Sequence, residues 1–192
     1  MPIRTALGLV LLLMLQPPAD TARDALNLGR THDDALFDSF NRGYGLSVSG
    51  TIESAEIITE FRRAVLVVRE HATQGDYVFD AQDLAGAMAP YKGLVTFIVQ
   101  ARLHPLNTFV KAPPYELYVS TGPSTDPVAA RSMKRDPVYP VGAGPGSSMI
   151  GVRIEASFPI APIAGAAKPT LILTDEHAEI LWQTRLDLSR YR

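Results

Sequence analysis

The sequence predicts a mainly β fold: an antiparallel β-sandwich, immunoglobulin-like at fold level only, with one to three helices in the N-terminal half, an α+β arrangement. Three observations lead there. After residue 93, five separate segments carry the two-residue apolar period of a strand packed on one face. Helical spacing is confined to the part before them. Eleven of the 15 prolines follow residue 93 and, with the glycines at 122, 142, 144 and 146, lie between the alternating segments, where a sandwich turns its corners.

The 192 residues suit one domain, and 46% hydrophobic against 20% charged content supplies a core without metals or cross-links. Residues 26–192 are expected to form that domain, after an N-terminal segment spanning residues 1–25. That segment reads as an export signal. Arg4 and the amino terminus are positive, and residues 6–15 are an unbroken apolar run. A membrane-spanning helix needs about 17–25 such residues, so ten are too few, and Pro17-Pro18 ends any helix there. Ala19 and Ala22 are candidate cleavage positions. The expected location is periplasmic or secreted, with tethering to a membrane if the segment is retained.

Each element has its own signal. Thr31-His32-Asp33-Asp34 matches a helix start with Thr31 as cap and Asp34 reaching back, followed by Leu36, Phe37, Phe40 and Tyr44 on one face. The adjacent His32, Asp33 and Asp34 point in different directions, so capping explains them better than metal ligation. Residues 46–52 alternate like a strand. Residues 54–73 carry helical spacing through Ile57, Phe61, Ala64, Val65 and Val68, and Gly75 stops them. β-branched Ile58, Thr59 and Val67 oppose a helix, but Arg62-Arg63 breaks any two-residue period, which favours helix from Thr59 onward. Residues 80–89 form a short helix with Leu84 and Met88 inward.

Residues 94–103 make the plainest strand, with Val95, Phe97, Val99, Ala101 and Leu103 on one face. Tyr115, Leu117 and Val119 repeat the pattern. Residues 122–148, with five prolines and four glycines, read as one long connection. Alternation resumes over residues 150–158, a short apolar strand follows at 170–174, residues 175–178 turn the chain, and Ile180, Trp182, Leu186 and Leu188 form the inner face of a last strand.

Composition narrows function. A formal net charge of −2 without a basic block argues against nucleic acid. The absence of cysteine removes disulfides, thiolate catalysis and cysteine-bound zinc. The four histidines have no metal-site spacing, and residues 142–148 lack the lysine and following helix of a phosphate loop. No cofactor and no metal are expected. The remaining candidate site surrounds the loop after the strand at 94–103: Arg102, His104, Asn107 and Tyr115 as binding residues. His104 would be a general base, with Asn107 beside it, in an alternative hydrolase or small-ligand reading. No serine or acid stands in a diagnostic relation to His104, and no G-x-S-x-G elbow occurs. Pro105 ends strand pairing, and Asn107 and Thr108 suit a turn. The favoured expectation is an exported, non-catalytic envelope protein that binds a protein or another envelope component through its loops or a sheet edge.

Overall fold

The computed structural model describes residues 19–122, 125–144 and 146–191. Among them, eight strands form two antiparallel four-stranded sheets, accompanied by five α-helices. The chain order is α1 (Ala19–Gly29), α2 (Asp34–Arg42), β1 (Ile52–Ile58), α3 (Glu60–Thr73), α4 (Ala81–Met88), β2 (Leu94–Arg102), β3 (Glu116–Ser120), β4 (Val128–Ala129), β5 (Ser132–Val138), β6 (Gly151–Pro159), α5 (Ile160–Ala164), β7 (Thr170–Thr174) and β8 (Ile180–Arg185). The architecture is mixed α+β, with more helix than the expected one to three elements. The predicted leader falls largely on residues 1–18, outside the described residues; residues 19–25 are the first turns of α1.

The first sheet has the order β1-β2-β6-β5 and the second β4-β3-β7-β8. The alternating residues of β2 and β6 meet in register, Val95 opposite Phe158, Phe97 opposite Ala156 and Val99 opposite Ile154, all fully buried. With Leu117, Val119, Leu171, Leu173 and Trp182 of the second sheet they form one shared core, where the rings of Phe97 and Phe158 meet edge to face at 5.7 Å.

The other face of the first sheet is covered by helix α3. Arg63 donates to the Thr96 hydroxyl at 2.9 Å, lies 3.9 Å from the Glu155 carboxylate, and sits over the Tyr91 ring. Thr96, Ile98 and Ser157, which lie on this second face, are therefore buried. A second apolar cluster ties the helices together, with Ala25 of α1 and Phe61, Val65 and Val68 of α3 at its centre. Gly29 permits that approach: a Cβ there would stand 2.6 Å from the Val68 side chain.

Several sequence expectations shift. The strand expected over residues 46–52 is instead β1, six residues later. Gly50 takes φ +63°, which ends extended structure there, and residues 44–46 only flank β1, with Leu46 N–H donating to the Ala55 carbonyl at 2.8 Å. Residues 54–58 are strand, not helix, because Ala55, Ile57 and Ile58 find their burial in the sheet. The helix begins after Thr59, whose hydroxyl accepts from Arg62 N–H at 3.2 Å.

Helix α2 is capped by Asp33 rather than Thr31. The Asp33 carboxylate accepts from Leu36 N–H at 3.0 Å, while the Thr31 hydroxyl accepts from Asp33 N–H. The connection at 122–148 contains β4 and β5; β5 carries Pro137 and charged residues, which an edge strand tolerates. Ile180 is exposed, since a register irregularity between Leu173 and Thr174 shifts the start of β8, whereas Trp182 and Leu186 are buried as expected. Leu188 lies in a short 3₁₀ turn after the strand.

Candidate functional site

Strands β2 and β5 end, and β6 begins, at one end of the first sheet, with Arg102 opposite Gly151 and Val138 opposite Gly151. Two loops leave from there, residues 103–115 and 139–150. Backbone bonds stitch them together: Leu103 N–H donates to the Ile150 carbonyl and Ile150 N–H to the Val138 carbonyl. In the second sheet the β7–β8 turn is close by, because Glu116 pairs with Thr174.

Within this end, His104 and Asn107 build a turn. Leu106 N–H donates to His104 Nδ1 at 3.1 Å, and Asn107 N–H to the His104 carbonyl at 2.9 Å. The Asn107 amide donates to the carbonyls of His104 at 2.8 Å and Met149 at 2.9 Å, and its oxygen accepts from Phe109 N–H. Asn107 is thus the side chain that couples the two loops. The His104 imidazole accepts from turn backbone through Nδ1 and has no carboxylate or hydroxyl hydrogen-bond partner among the described residues.

The other two predicted residues go elsewhere. Arg102 bonds Glu53 across β1 and β2 at 2.6 Å, and Gln100 donates to the same carboxylate at 2.7 Å. Those hydrogen bonds hold the Glu53 carboxyl below the usual carboxylate range. Tyr115 is half-buried; burial, and secondarily the nearby Asp175 charge, raise its phenol above the ordinary value. Its carbonyl accepts from Arg135 Nε at 2.6 Å, and the same guanidinium meets Glu116, joining edge strand β5 of one sheet to β3 of the other. The four residues therefore share one end of the molecule without converging on a common cavity.

What sequence reasoning missed is the apolar character of this end. Leu106 is 83% exposed and Val110 90%, Val141 is fully exposed, and Phe109, Tyr139 and Ile150 are each about half exposed. Ile150 heads the alternating run expected to be a strand, but β6 begins one residue later and leaves it half exposed. For the others the only sequence signal is negative, since they fall in proline-rich connections outside any strand period that would bury them. An open depression of about 540 Å³ lies on the second loop, lined by Tyr139, Pro140, Gly142, Ala143, Gly144 and Ser147 among others. Another of about 540 Å³ lies between the helices, lined by Leu28, Leu36, Phe40, Tyr44 and Phe61 among others. Neither includes His104.

Among the described residues no group of three or more His, Asp or Glu side chains is placed to hold a metal ion, and no helix is long and apolar enough to cross a membrane. Compared with known proteins, the chain matches no family model, no curated protein and no solved structure.

Proposed function

We propose that this protein is an exported, non-catalytic binding module of the cell envelope, built on an immunoglobulin-like sandwich and working through the loops at the end of the first sheet. The fold part of this reading draws on strand order. Lettered along the chain as A, B, C, C′, D, E, F and G, the strands β1 to β8 give sheets A-B-E-D and C′-C-F-G. The lettering of an immunoglobulin-type sandwich has the same neighbours, and such domains bind through loops gathered at one end. The helices between the first two strands are this chain's own addition. Strand order supports a fold and not an activity, so the function has to be argued from the surface.

The observation that carries the functional reading is the set of large apolar side chains left in solvent on two loops that are hydrogen-bonded to each other. Isolated exposed apolar residues are ordinary, whereas a cluster at one end marks a contact surface. Loops held by a rigid scaffold are where such contacts concentrate. Export is inferred from Arg4 and the apolar run at residues 6–15.

Two measurements test the reading. Cell fractionation with N-terminal sequencing is expected to recover the protein outside the cytosol; cytosolic recovery with Met1 intact overturns export. Association with isolated envelope is then compared between wild type and the triple variant Leu106→Ser, Val110→Ser, Val141→Ser. These side chains lie outside the core, so the variant should fold normally and associate at least about tenfold more weakly. Equal association, or none by wild type, rejects the loop end as the binding surface.

A further inference from the structure

We infer that, in the chain as synthesised, the apolar run at residues 6–15 docks in the depression between α1 and α2, so that a molecule that folds before it is moved covers its own leader. The inference stands apart from the loop end. The depression lies toward the other end of β1, where Ile57 N–H donates to the Tyr44 carbonyl at 3.0 Å; the loops lie where Ile52 pairs with Ala101.

The seat is apolar and unfinished. Helix α2 carries Leu36, Phe37 and Phe40 on one stripe, yet none of its residues is buried, and Leu36 is 51% exposed. A helix with such a stripe normally folds with it against a neighbour. The rings of Phe40, Tyr44 and Phe61 line the depression, Phe40 meeting the other two edge to face at 5.0 Å and 6.0 Å. Leu28 and Leu36 complete the apolar lining, and the polar lining, Asp24 and Asn27, is confined to α1. The volume of about 540 Å³ is in the range of sites that take in a sizeable apolar group.

Tether length picks the occupant. Helix α1 starts at Ala19 and lines the depression with Asp24, Asn27 and Leu28, so only residues 16–18 separate the run from a wall of the seat. Connections of about 2–5 residues join antiparallel helices, and three extended residues reach about 10 Å, the distance between packed helix axes. Pro17-Pro18 stops the run from continuing into α1 and turns the chain. Ten residues in helical form cover about 15 Å and α1 itself about 16 Å, so a run folded back along α1 passes the whole depression. The run supplies six leucines and no polar side chain. Tethered this closely, it is present at the seat at roughly millimolar effective concentration.

The chain has no cysteine, so a chosen pair is the only pair. Full-length protein carrying Val10→Cys and Leu36→Cys, made by membrane-free translation so that residues 1–18 stay attached, is treated at high dilution with a short bifunctional maleimide. The expected product is an internal cross-link. Adding Leu9→Ser, Leu12→Ser and Leu13→Ser keeps the tether and removes the apolar drive, and should cut that yield about fivefold or more. The serines precede α1, so the domain folds in both chains. A nitrobenzoxadiazole label on Leu36→Cys alone is expected to dim and shift to the red when the three serines are present.

Equal cross-link yields with and without the serines overturn the inference, because the tether alone then explains the contact. A label at 36 that the serines leave unmoved overturns it as well. Cross-links between molecules in place of internal ones give the seat to a second copy and reject the leader as its occupant. None of these readouts involves a loop residue, so their failure leaves the loop end as the binding surface untouched.

Discussion

Arg62 shows how much one buried cation organises here. It is almost fully buried, donates to the Ile57 carbonyl at 2.7 Å and to Asn41, pairs with Glu56, and lies over the Tyr44 ring. It thereby joins α3 to the end of β1, to α2 and to the segment beside β1. Removing it strands the Ile57 carbonyl and leaves Glu56 without its partner, so Arg62→Ala should cost about 2–4 kcal/mol in urea unfolding. A loss below about 0.5 kcal/mol would show the junction to be redundant. Tyr115 makes a second prediction. Its phenol is raised in the folded chain, so the folded state holds that proton more tightly than the unfolded one. The associated stability is fully present below the ordinary phenol range and is lost as pH climbs through the raised value, from about 10 upward. Tyr115→Phe should flatten that alkaline decline in thermal melts across pH, while an unchanged slope would assign the decline to other groups.

At the level of elements, the α1–α3 contact has no slack. A methyl at position 29 would press on Val68 and on the Val65 carbonyl, at 2.6 Å and 2.8 Å. Gly29→Ala is expected to destabilise by about 1–3 kcal/mol despite alanine's better helix propensity, and denaturant midpoints will decide it. This contact also explains what the sequence could and could not reveal. β2, β6 and β7 were legible because each buries alternate residues against the other sheet, and the period survives in the residue order. β1 was read as part of a helix since its apolar residues run without a break into those of α3, and only the Thr59 cap marks the border. β5 was hidden by its place at an edge, where Lys134, Asp136 and Pro137 blur any period, and β4 has two residues and so no period at all. Of the candidate site, the His104–Asn107 turn was legible from its residue types. The apolar end was not: Leu106 and Val110 differ from core residues only in having nothing above them, and that is a property of the whole chain.

For the molecule as a whole, the helices are a structural layer and not an appendage. Ala25 is fully buried, and α1 shields Val65 and Val68. A chain starting at Thr31 should lose roughly 3–5 kcal/mol, melt about 10 °C lower and take up an apolar dye such as ANS. An unchanged melt would mean that α3 needs no cover. The layer has a kinetic consequence as well. Strand β1 meets β2 only after the chain has made the excursion through α3 and α4, and β2 meets β6 only after visiting the second sheet. Contacts between positions so distant along the chain close late, so stopped-flow refolding should take milliseconds to seconds rather than microseconds. A polypeptide that closes this slowly stays threadable through a translocation channel for longer after synthesis, and that delay would serve a protein that has to be moved before it sets.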